Sequence, residues 1–110
     1  MPWIAAHDQV VSPTYVPDLV QAALDLMIDG ERGVWHLANE GALSWAEFAC
    51  RAAEAAGLHT AGVQARAGAT LAQRAPRPAF SALGSARGRL MPPLDLAIER
   101  YVQAWRACAA

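Results

Sequence analysis

Residues 33–57 read GVWHLANEGALSWAEFACRAAEAAG, and the two halves of this stretch carry different periods. In the first half Val34, Trp35 and Leu37 suit a strand, and Asn39-Glu40-Gly41 suits the loop that follows. In the second half Ser44-Trp45-Ala46-Glu47 forms a capping box. The serine oxygen accepts from the Glu47 amide while the glutamate reaches back to the Ser44 amide. Phe48, Ala49, Ala52, Ala53 and Ala56 continue this predicted helix to Gly57.

Upstream, residues 10–15 form a short extended segment broken by Pro13. Pro17 fits a first helical position, and Asp18 follows in the first turn, where a carboxylate favours the helix dipole. Leu19, Val20, Ala23, Leu24, Met27 and Ile28 recur at helical spacing, and Gly30 is a C-terminal stop, so a helix is predicted over 17–29. Downstream, residues 63–66 suit a short strand and residues 68–78, with two prolines and few large apolar side chains, a loop. Pro92-Pro93 ends another irregular stretch, and Leu94, Ile98, Tyr101, Val102 and Trp105 predict a terminal helix over 94–105. The expected architecture is α/β, a single small domain over 1–110 with about three short strands and three helices.

Composition excludes several functions. The chain has 110 residues, 55% of them hydrophobic, which argues against wholesale disorder. A net charge of −1 gives no global attraction to nucleic acid or anionic membrane. No stretch is long and apolar enough to span a bilayer, and residues 1–6 lack the basic start of a signal peptide. All nine basic residues are arginines. Schiff-base chemistry, a P-loop lysine and a tyrosine–lysine relay are therefore closed to this chain. Cys50 and Cys108 have neither metal nor disulfide-framework spacing and read as reduced, partly buried thiols of a cytoplasmic protein. His7, His36 and His59 stand apart from other ligands, so no metal site is expected. A glycine-rich dinucleotide turn is missing, so no cofactor is expected on this chain alone.

Two motifs remain, Asp8-Gln9-Val10-Val11-Ser12-Pro13-Thr14 and Arg77-Pro78-Ala79-Phe80-Ser81-Ala82-Leu83. An arginine in a proline-stiffened loop can present a bidentate fork to a diphosphate, with Ser81 adding a neutral hydrogen bond. By chemistry alone a surface loop is the favoured reading of the same stretch.

The order of four motifs adds to this: Asp8-Gln9-x-x-Ser12-Pro13-Thr14, Trp35-His36-Leu37-Ala38-Asn39, Ser44-Trp45-x-Glu47-Phe48-Ala49 and Arg77-Pro78-x-x-Ser81-x-Leu83. In that order and spacing the chain resembles the C-terminal, substrate-binding part of the dTDP-4-dehydrorhamnose reductases, members of the extended short-chain dehydrogenase/reductase superfamily. The resemblance implies NADPH- or NADH-dependent reduction of dTDP-6-deoxy-L-lyxo-4-hexulose to dTDP-L-rhamnose. In such enzymes an N-terminal Rossmann domain carries the cofactor and a Tyr-x-x-x-Lys pair the proton transfer. Neither Tyr15 nor Tyr101 has a lysine four residues on, so this chain contributes no catalytic residue.

Carried over by position, the resemblance implies Arg77 as a diphosphate contact, Ser81 as its support, and Gln9 and Thr14 at the substrate edge. Asp8 would order its own loop. Asn39 would either cap the strand end or face the cleft, and Trp35, Trp45 and Phe48 would be core. Val11 departs from the family's usual glycine, and Met1-Pro2-Trp3 reads as a new start within an older, longer gene. The implied partners are a dTDP-sugar and either a separate cofactor-domain chain or further copies of this one. The alternative is a non-catalytic nucleotide-sugar-binding or regulatory subunit, since the same family includes a non-catalytic partner of methionine adenosyltransferase.

Overall fold

The computed structural model describes residues 3–84, 87–88 and 90–109; Met1 and Pro2 of the expected new start lie outside them. In chain order the elements are β1 (Trp3–Ala6), β2 (Val10–Val11), α1 (Val16–Ile28), β3 (Leu43–Ser44), α2 (Trp45–Ala55), β4 (Val63–Arg66) and α3 (Leu94–Ala109), with 3-10 turns at Thr60–Gly62 and Gly68–Thr70. The α/β class and the three predicted helices are present. The chain divides into two compact units, one of Met1–Val11 with Ala42–Ala82, the other of Ser12–Gly41 with Leu83–Ala110.

In the first unit β1 and β4 pair in parallel, from Trp3 against Val63 to Ala6 against Arg66, and α2 packs on both strands. A parallel pair needs a crossover, and α2 supplies the helix of that crossover. The His7 amide prolongs the pairing through a 3.0 Å bond to the Arg66 carbonyl. β2 and β3 form an antiparallel pair, Val10 against Ser44 and Val11 against Leu43. Ala6, Leu43 and Ala46 are buried in this unit. Val11 thus sits in an ordinary strand, and no described non-glycine residue takes a positive φ, so the missing glycine leaves no strain.

Ser44 caps α2 as predicted, its hydroxyl oxygen accepting from the Glu47 amide at 3.2 Å. The Glu47 carboxylate meets the Ser44 hydroxyl at 3.4 Å, where the capping-box reading had it on the Ser44 amide. Ser44→Ala is expected to destabilise the chain by about 1 kcal/mol in urea unfolding; an unchanged midpoint would show that the cap contributes nothing. The predicted glycine stops have a physical basis. Beyond α2, Gly57 takes φ 75° and its amide bonds the Glu54 carbonyl while the Leu58 amide bonds that of Ala53. Gly30 does the same beyond α1, with Glu31 reaching back to Leu26. Both are Schellman motifs, which need the left-handed conformation that glycine adopts freely.

The second unit holds α1, α3 and irregular chain. Met91, Leu94, Ala97, Ile98 and Val102 are buried, the last four on one face of α3. The apolar stripe of α1 is largely exposed instead: Val20, Leu24, Met27 and Ile28 face outward, while Ala22 and Asp18 are buried. The strand expected at Val34–Leu37 does not form. A strand needs a neighbour for its amides and carbonyls, and the described residues here offer one isolated bridge, Glu40 to Pro93. Arg87 takes over that part, donating to the Arg32 carbonyl at 2.7 Å and covering the Trp35 ring at 4.0 Å. Both cysteines are free, Cys50 half-buried and Cys108 exposed.

Candidate functional site

The first unit carries a groove built from the turn between β1 and β2. Asp8 Oδ1 accepts from the Gly68 amide at 2.8 Å, which ties this turn to the segment after β4. Asp8 therefore orders more than its own loop. Gln9 beside it is buried, and its Nε2 donates to Gln73 Oε1 at 3.2 Å. Its own Oε1 is buried with no partner among the described residues. Gly68 permits this packing: a Cβ there would lie 2.3 Å from Gln9 Nε2.

The Arg77–Ser81 segment is strapped to β2. The Val10 amide donates to the Ala79 carbonyl at 2.8 Å, and the Ser81 amide returns to the Val10 carbonyl at 2.9 Å. The Ser81 hydroxyl adds a 3.3 Å donation to the same carbonyl. This strap brings Gln9, Arg77 and Ser81 to one cavity of about 510 Å³, shared with Val11, Trp45, Gln73 and Pro78. An adjoining hollow of about 480 Å³ is lined by Asp8, Gln9, Gly68, Gln73, Arg74 and Arg77 among others. A groove with guanidinium groups on its wall and amides on its floor suits an anionic ligand that also carries hydrogen-bonding groups.

Thr14 and Asn39 belong to the second unit. Thr14 is exposed, and its hydroxyl donates to the Ser12 carbonyl at 3.2 Å. Asn39 is 1% exposed. Its Oδ1 accepts from the Tyr15 amide at 2.7 Å, and its Nδ2 donates to Asp18 Oδ2 at 2.9 Å and the Pro92 carbonyl at 3.0 Å. With donors and acceptor all occupied inside the unit, the Asn39 side chain braces Tyr15, Asp18 and Pro92, and it also lines a hollow of about 250 Å³ with His36, Leu37 and Leu90 among others. It also caps no strand, since none precedes it.

Sequence reasoning missed three lining residues. Trp45, read as core, is 47% exposed and stacks on Phe48 at 6.2 Å. Its position just after the capping serine, three residues before Phe48, was the available signal. Gln73 and Arg74 lie in a stretch read as featureless loop, and nothing in their spacing marks them.

The first turns of α1, α2 and α3 carry Asp18, Glu47 and Asp95 rather than a glycine-rich start for a pyrophosphate. No cluster of three metal-ligating side chains occurs among the described residues, and no described helix is long and apolar enough to cross a membrane.

Comparison with known proteins finds this architecture as one part of solved dTDP-4-dehydrorhamnose reductases. A crystal structure of dTDP-4-dehydrorhamnose reductase from Bacillus anthracis in complex with NADP superposes with a TM-score of 0.82 at 29% identity, covering 92% of this chain and 37% of that one. The ortholog from Clostridium acetobutylicum shares the fold, with a TM-score of 0.85 at 22% identity over 96% of this chain and 39% of that one. In sequence, the chain is 43% identical over 79 residues to dTDP-4-dehydrorhamnose reductase of Mycobacterium tuberculosis, covering 71% of this chain and 26% of that protein. It is 40% identical over 76 residues to the spore coat polysaccharide biosynthesis protein SpsK of Bacillus subtilis, covering 69% and 26%. The RmlD substrate binding domain model matches residues 3–105, and the chain belongs to that family. It spans about a quarter of the length of the curated relatives it matches.

Proposed function

We propose that this chain is the nucleotide-sugar-holding part of a dTDP-4-dehydrorhamnose reductase and that it grips the diphosphate of its ligand with Arg77. The observation that carries this reading is the position of Arg77: its guanidinium has no partner among the described residues, and it lines the same cavity as Gln9 and Ser81. An always-charged fork on a proline-stiffened strap is pre-organised for a phosphate. Ser81 supports it, Gln9 floors the groove, and Thr14 is a further candidate contact on its own unit.

The reaction served is reduction of the 4-keto group of dTDP-6-deoxy-L-lyxo-4-hexulose. Hydride from NADPH or NADH and the proton for the new alkoxide come from a cofactor domain, on another chain or another part of a longer protein. This chain, which has no lysine, holds and orients the substrate and performs neither transfer. The setting is the cytoplasm, where nucleotide sugars are made.

Calorimetric titration with dTDP-rhamnose tests the reading. The chain is expected to bind, and Arg77→Ala to weaken binding by about ten- to a hundredfold, the worth of a charged hydrogen-bonded contact. Equal binding by both forms would remove Arg77 from the site. One observation favours the regulatory alternative: a hollow of about 440 Å³ lined by Ile4, Trp45, Phe48, Ala49 and Leu71 leaves apolar surface open on the first unit.

A further inference from the structure

We propose that Arg74 is a second phosphate-binding residue, and that with Arg77 it makes this groove selective for a diphosphate over a monophosphate. The inference rests on the reading of the groove as a thymidine-nucleotide site and goes beyond it, because Arg74 lies outside the motif that pointed to Arg77.

The segment that carries both arginines is pinned at each end. Gln73, next to Arg74, is held by the buried Gln9 amide, and Ala79 is held by the Val10 amide. Between the pins stand Pro76 and Pro78, which fix φ and remove backbone freedom. Two cations three residues apart are thus presented at low entropic cost, and both line the hollow above Gln9. Neither guanidinium engages a carboxylate or carbonyl among the described residues. The one carboxylate on the hollow is Asp8, whose Oδ1 already accepts from the Gly68 amide. Both guanidiniums are exposed and free to turn toward an anion that enters the hollow. A diphosphate offers one phosphoryl group to each fork, whereas a monophosphate satisfies one fork.

A second observation points to a ligand independently. Gln9 is 7% exposed, and its Oε1 has no partner among the described residues. Its Nε2 lies against Gly68 and donates to Gln73 Oε1, which leaves the oxygen as the unused end of the amide. The floor of the arginine-walled hollow therefore keeps an acceptor in reserve, as a nucleotide sugar with its hydroxyl donors requires.

The test is calorimetric titration of the whole chain with thymidine mono- and diphosphate at one fixed low salt concentration. The wild-type chain is expected to bind the diphosphate about tenfold or more tightly than the monophosphate. Arg74→Ala is expected to bring the two affinities within about twofold of each other by weakening the diphosphate far more than the monophosphate, and Arg74→Lys to restore part of the preference. Arg74 is exposed, so both variants fold as the wild type does. A preference that survives in Arg74→Ala, or that the wild type never shows, overturns this proposal even if Arg77→Ala still weakens both ligands. Absence of any thymidine-nucleotide binding overturns both this proposal and the reading beneath it.

Discussion

Asp18→Ala is expected to destabilise the chain by about 3 kcal/mol, the lower end of the cost of breaking a buried ion pair. Asp18 is 6% exposed in the first turn of α1. Its Oδ1 receives Arg100 of α3, and its Oδ2 receives Asn39 Nδ2 at 2.9 Å. The same Arg100 lies 5.4 Å from the centre of the Tyr15 ring, which meets Tyr101 edge-on at 6.3 Å. One carboxylate thus joins α1, the irregular segment before β3 and α3. Removing it strands a buried amide donor and leaves the guanidinium to water. The Arg100 side chain is 44% exposed, which holds the loss near the lower end. Urea unfolding followed by circular dichroism measures it; a loss below about 1 kcal/mol, the level of an ordinary surface pair, would deny the network its part in the fold.

Asn39→Asp carries a larger expected effect, about 4 kcal/mol or outright failure to fold at neutral pH. The substitution is nearly isosteric, so sterics play no part. Both donations from Nδ2, to Asp18 and to the Pro92 carbonyl, become oxygen–oxygen repulsions at a position 1% exposed. The introduced carboxyl must then titrate higher in the folded chain than in the unfolded one. Destabilisation is therefore greatest above its folded pKa and shrinks as pH falls toward about 4 and the group takes up a proton. Thermal melts of variant and wild type across that range check the sign. A gap that stays constant with pH would mean that charge is not the cause.

The parts of the molecule that a sequence shows well are those decided locally. The starts and stops of α1 and α2 follow from Pro17, Ser44, Gly30 and Gly57, each acting within one turn of its helix end. β4 at Val63–Arg66 was likewise expected. Non-local pairing decided the rest. β1 was not anticipated, because Trp3–Ala6 has no alternation and its partner β4 lies far along the chain. Val34, Trp35 and Leu37 suited a strand by residue type, but no described strand adjoins them. The exposed stripe of α1 shows that helical spacing of apolar residues fixes a helix without fixing what covers it.

The candidate site divides the same way. Arg77 and Ser81 were legible from a motif, and the strap to β2 explains their position. Gln9 was legible as a site residue but not as a buried one with an open acceptor, since burial depends on Gly68 and Gln73, both distant in sequence. Asn39 was read as capping the strand end or facing the cleft, and its bracing role among Tyr15, Asp18 and Pro92 depends on partners distant in sequence. Arg74 had no pattern to announce it; its place in the hollow comes from the bond between Gln9 and Gln73.

The claim on which the rest depends is that the groove between the Asp8–Gln9 turn and the Arg77–Ser81 strap is where a thymidine diphosphate sugar sits. Amide chemical-shift mapping of the isotopically labelled chain during titration with dTDP-rhamnose tests it most directly. The largest shifts are expected at Gln9, Gly68, Gln73, Arg74, Arg77 and Ser81; shifts absent from these residues, or centred elsewhere, would contradict it.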